Sequence, residues 1–76
     1  MPTFEVYIDD DRYEVPSLYF INSRNDAGAR AAAQRLLDES PHHQGVELRR
    51  DGVRLFAVGS LARGGSARPD ATSSPA

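Results

Sequence analysis

His42 and His43 are the only histidines in this 76-residue chain, and imidazole is the side chain most often found on a metal ion. Asp38 and Glu39 lie a few residues upstream, and imidazole with carboxylate can bind zinc. Adjacent residues usually point apart, however, and no further ligand has a characteristic spacing. The plainer reading of His42 and His43 is a polar connector after a helix, so no metal is expected. Asp9-Asp10-Asp11, with Glu5 and Glu14 nearby, forms an acidic cluster. It lacks the spaced ligands and the glycine of a calcium loop and reads as a solvated turn. Nothing in the sequence places these carboxylates in a cleft for acid/base work.

Nucleophiles and phosphate cradles fare no better. Ser17, Ser23 and Ser40 sit in no nucleophile elbow, and Ser23 and Ser40 are explained by helix ends. Gly59 and Gly64-Gly65 match neither the Walker nor the dinucleotide pattern. Arg63-Gly64-Gly65 is a single copy, which fits a tail better than an RNA contact. With no cysteine there is no thiolate nucleophile, disulfide framework or cysteine zinc site. The sequence therefore predicts no enzyme and no cofactor.

The chemistry that remains is recognition. Tyr7, Tyr19, Ile21 and Phe56 (with Val58 beside them) fall in strand-like stretches at positions expected to share one sheet face, together with Arg49 and Arg54 and with Arg12 near by. Such a face is too apolar to be left merely wet. Self-association, as a homodimer, is the leading reading, since homo-oligomers are mostly closed two-fold assemblies. A different protein partner is the second. The third is single-stranded nucleic acid, because aromatics beside arginines can stack bases. A net charge of −2 speaks against that reading, as phosphate contacts need an excess of cations.

The elements that would hold this face can be read in order. Phe4, Val6 and Ile8 alternate with Glu5, Tyr7 and Asp9, the period of a strand. A tight turn at Asp10-Asp11 would set Ile8 opposite Tyr13 and Val6 opposite Val15. Pro16 disturbs this, because it has no N–H for a ladder. The apolar phase shifts there from Tyr13 and Val15 to Leu18 and Phe20, which a bulge near Pro16-Ser17 would explain; the alternative is a strand limited to residues 18–22 with a longer loop before it. A helix is predicted from about Asn25 to Ser40, with Ala29, Ala32, Ala33, Leu36 and Leu37 on one stripe. Ser23 is the expected cap and Asn25 its rival. Pro41 ends the helix. Residues 46–50 and 53–58 flank Asp51-Gly52, the strongest hairpin signal in the chain. That turn would set Leu48 opposite Leu55.

Hairpin, helix, hairpin predicts an α+β domain of ββαββ order: a four-stranded, mainly antiparallel sheet with one helix on one face. The helix-facing set would be Phe4, Val6, Ile8, Val15, Leu18, Phe20, Val46, Leu48 and Leu55. Residues 1–58 make this domain. Residues 59–76 are rich in Gly, Ser, Ala and Pro and read as a disordered C-terminal tail. No apolar run approaches the length of a membrane span. The N-terminus lacks the basic start and apolar core of a signal peptide, so the cytoplasm is the expected compartment. All nine basic residues are Arg, and alanine is abundant, which suggests a GC-rich bacterial genome.

The run Phe4-Glu5-Val6-Tyr7-Ile8-Asp9-Asp10, the helix from Ala29 to Leu37, and Val46-Glu47-Leu48 to Leu55 together resemble short uncharacterised proteobacterial proteins of hairpin-helix-hairpin type. The resemblance covers residues 3–58. It implies the fold and carries no activity, cofactor or site residue.

Overall fold

The computed structural model describes residues 1–63. Four strands form one antiparallel sheet: β1 (Thr3–Asp10), β2 (Ser17–Asn22), β3 (His43–Arg50) and β4 (Val53–Gly59), in the spatial order β2-β1-β3-β4. The helix α1 (Asp26–Asp38) lies on one face, nearest β3, and a single helical turn, α2 (Ser60–Arg63), follows β4. The ββαββ order and the α+β class are those the sequence predicts. The chain continues in defined structure through Gly59 and α2, so the folded unit runs past the expected boundary at residue 58. Residues 64–76 of the expected tail lie outside the described residues.

The core follows from the period of two in β1. Phe4, Val6 and Ile8 are fully buried, as are Val46 and Leu48 of β3 and Ala29 and Ala33 of α1. Small alanines on the helix stripe allow the close approach, and Leu36 and Leu37 close the sides. Asn25, the rival to Ser23, is the cap: its Oδ1 accepts a hydrogen bond from the Gly28 N–H at 2.8 Å. Ser23 instead donates to the Asn25 carbonyl at 2.9 Å and braces the turn.

The two hairpins are built differently. At Asp51-Gly52 both residues have positive φ, +54° and +79°, the signature of a type I′ turn whose twist matches its strands. Between β1 and β2 the expected two-residue hairpin does not form; a β-turn closed by the Tyr13 N–H on the Asp10 carbonyl at 3.0 Å opens a longer loop instead. The Asp10 carboxylate accepts hydrogen bonds from the Arg12 backbone N–H and side chain, which curls the chain after β1. Pro16 then keeps the ladder from starting before Ser17. The alternative of a short second strand after a long loop is therefore the one adopted.

That loop resets the register of β2. Val6 pairs with Tyr19, Phe4 with Ile21, and Ile8 with Ser17. Directly paired residues share a face, so Tyr19 and Ile21 are on the helix side and Leu18 and Phe20 on the other. This inverts the expected faces of β2. Residues Tyr13 and Val15, expected in the strand, lie exposed in the loop. In the second hairpin the ladder slips by one residue after Arg49↔Arg54, so Leu48 pairs with Phe56 rather than Leu55. This bulge brings both Leu55 and Phe56 against the core, and Val58 with them.

Candidate interaction surface

The sheet face away from α1 carries Glu5, Tyr7 and Asp9 of β1, Leu18, Phe20 and Asn22 of β2, Gly45, Glu47 and Arg49 of β3, and Arg54 and Ala57 of β4. Of the residues expected to form this face, Tyr7, Arg49 and Arg54 are on it. Tyr19, Ile21 and Phe56 are on the helix side, because of the register of β2 and the bulge in β4. Leu18 and Phe20 take the place expected for Tyr19 and Ile21, beside Tyr7 and Glu5.

Half of this face is closed. Gly59 has φ +73°, a left-handed conformation that suits glycine, and it turns the chain so that α2 packs back over β3 and β4. A side chain on Gly59 would meet the Gln44 carbonyl, and one on Gly45 would meet the Leu61 backbone N–H at 2.7 Å. Leu61 is buried there. Ser60 donates to the Asp9 carboxylate at 2.5 Å, and Arg54 donates to the Leu61 carbonyl at 2.9 Å. Beneath this turn the Glu47 side chain is only 2% exposed. Its Oε2 accepts a hydrogen bond from Arg49 at 3.1 Å and lies 3.6 Å from Arg54 Nε. Arg49 also donates to the Gly52 carbonyl at 2.7 Å. The like-charged pair Arg49↔Arg54 is thus reconciled by the acid between them.

The β2 half is bare. Leu18 and Phe20 are exposed on the open face, Phe20 to 65%, and Tyr19 is exposed on the helix side. β2 is an outer strand of the sheet. It bears no charge, and its pairing with β1 runs without a bulge. Natural proteins usually blunt such edges with charges, bulges or a covering segment. The other outer strand, β4, has an arginine, a bulge and α2.

A second polar group lies where β1 meets the end of α1. Asp10 is buried, and the Arg12 guanidinium beside it, donating at 2.6 and 2.9 Å, holds its carboxyl well below the usual carboxylate range. His43 belongs to β3 rather than to a connector. Its Nδ1 lies 2.6 Å from the Leu36 carbonyl and its Nε2 3.6 Å from Asp10. A ring N–H at Nδ1 donates to that carbonyl, which also accepts the Glu39 backbone N–H at 3.3 Å at the helix end. His42 turns the other way, its Nδ1 2.9 Å from Asp11 Oδ1, while Gln44 Nε2 reaches Asp11 Oδ2 at 3.3 Å. The two histidines therefore serve separate carboxylates. Among the described residues no three His, Asp or Glu side chains are grouped to hold a metal ion. The cluster ties the long loop and the helix end to the sheet. Also among the described residues, no helix is long and apolar enough to cross a membrane.

No family model matches this chain, and the searches of curated proteins and of solved structures found no similar protein.

The residues that sequence reasoning missed are Leu18 and Phe20 on the open face and Ser60 and Leu61 above it. Pro16 and the change of apolar phase at Leu18 carried the first signal. A lone bulky leucine just after Gly59 carried the second.

Proposed function

We propose that this protein is a non-enzymatic interaction module that self-associates as a homodimer. The surface is Leu18, Tyr19 and Phe20 of β2 together with Tyr7. The observation that carries this reading is an uncharged outer strand with exposed apolar side chains on both of its faces. An apolar edge of this kind is a template for another chain, and a second copy is the partner always present. Of the residues expected at the interface on the open face, Tyr7 stays part of it, while Arg49 and Arg54 hold Glu47 and α2 in place.

The alternative reading, single-stranded nucleic acid on the open face, needs free cations beside the aromatics. Both arginines of that face already serve Glu47 and backbone carbonyls, which favours self-association. Phe20→Glu tests the proposal by sedimentation equilibrium. The native chain sediments as a dimer, and the variant, altered at an exposed site, as a folded monomer. Native chain that is monomeric throughout and shifts with oligonucleotides at low salt would replace the proposal by the alternative.

A further inference from the structure

The ladder between β1 and β2 fixes which backbone groups of β2 are free. The Ser23 N–H donates to the Pro2 carbonyl at 3.1 Å. Those residues continue the register in which Thr3 faces Asn22. In an antiparallel pair, directly opposed residues alternate between exchanging hydrogen bonds and not doing so. Position 23 is bonded to β1, so Ile21, Tyr19 and Ser17 are bonded to it as well. Leu18, Phe20 and Asn22 direct their N–H and C=O groups outward, away from the sheet.

We infer that two copies join by antiparallel pairing of β2 with β2, with the two-fold axis passing through Phe20. This rests on the self-association proposed above and specifies its geometry. Two antiparallel neighbouring strands can be related by a two-fold axis only if the axis is normal to the sheet. Such an axis keeps the helix faces of both copies on one side. Paired residues must then come from the same face, so their positions differ by an even number. Within Ser17–Asn22 the axis passes through Tyr19 or through Phe20.

The choice between these follows from the free groups. Centring on Phe20 sets Phe20 against its own copy and Leu18 against the partner's Asn22. Every outward N–H and C=O of the strand then finds a match. Centring on Tyr19 sets the outward groups of Asn22 against those of Pro16 in the other copy, and Pro16 has no N–H to give. The side chains agree with the first register. On the helix side Tyr19 faces the partner's Ile21, an aromatic and β-branched pair of the stabilising kind. On the open face the two Phe20 rings adjoin. No charged residue of β2 opposes another. The two four-stranded sheets become one continuous sheet with both α1 helices on the same side.

The test uses the absence of cysteine in the chain. Phe20→Cys and Leu18→Cys, both at exposed positions, are oxidised mildly, and covalent dimer is read on a non-reducing gel. The mass of the unsubstituted chain is measured in parallel. In the inferred register the two copies of position 20 are directly opposed, with Cα atoms about 5.5 Å apart, within reach of a disulfide. The two copies of position 18 are displaced along the strands by about 13 Å and do not bridge. Covalent dimer from Phe20→Cys alone is the expected result. A Leu18→Cys variant that bridges, or a Phe20→Cys variant that is dimeric when reduced and does not bridge when oxidised, overturns the edge register and leaves self-association standing. A native chain that remains monomeric overturns both.

Discussion

The two hairpins of this sheet finish their outer strands in opposite ways. The β3–β4 hairpin turns tightly through Asp51-Gly52 and bulges at Leu55. Its open face is then sealed with α2, Leu61 and a buried Glu47 held by two arginines. The β1–β2 hairpin turns through a long loop pinned by Asp10 and Arg12, and ends in a strand with no charge, bulge or cover. Both strands meet the same physical demand, since an outer strand has unpaired backbone groups that invite a neighbour. One hairpin answers it within the chain. The other leaves the edge open, which is the basis of the proposed self-association. Exposure alone does not define a surface for binding. The β2 edge stands out because the same fold guards its other edge closely.

The largest effects are expected on the guarded β4 side. Phe56→Glu places a charge among core side chains and should cost about 3 kcal/mol or more, read as a lower urea midpoint. A variant as stable as the native chain would return Phe56 to the open face. Gly59→Ala puts a side chain into the Gln44 carbonyl at a left-handed φ and should cost about 2–3 kcal/mol. Proton exchange should then quicken at the Leu61 amide before it does so in β1. Equal effects on both would mean that α2 is not a separate cover.

On the long loop the expected effect comes from the Asp10–Arg12 pair. A carboxylate whose native pKa lies below its unfolded value adds stability above the unfolded pKa, near 4. That stability is lost as pH falls toward the native value. Arg12→Met removes the main cause of the depression, so the acid unfolding midpoint should move to higher pH, as followed by circular dichroism. An unchanged midpoint would remove Asp10 from the determinants of the loop. The smallest effect on stability is expected at the bare edge. Phe20→Glu should alter the unfolding free energy of the monomer by no more than about 0.5 kcal/mol while abolishing the proposed dimer.

Much of this fold was legible in the sequence. The alternation of Phe4, Val6 and Ile8, the alanine stripe of α1 and the Asp-Gly turn each carry a local physical rule that tertiary structure did not override. Register was less legible, because a shift of one residue flips every side chain of a strand. For β2 it depended on a loop closed by Asp10 and Arg12. For β4 it depended on a bulge that no single residue marks. These two shifts moved Tyr19, Ile21 and Phe56 to the helix side and brought Leu18 and Phe20 to the open one. The cover was hidden for another reason. Gly59 and Ser60 look like the start of a tail, and only their approach to Gln44, Gly45 and Asp9 makes them part of the fold.

The most direct measurement is the molar mass of the native chain by light scattering after size exclusion, across a concentration series. A mass that rises with concentration from that of one chain, 8.3 kDa, and levels off at twice that value is the predicted result. A mass that stays at one chain at every concentration would contradict self-association. A mass that climbs without levelling would contradict a closed two-fold pair of β2 edges.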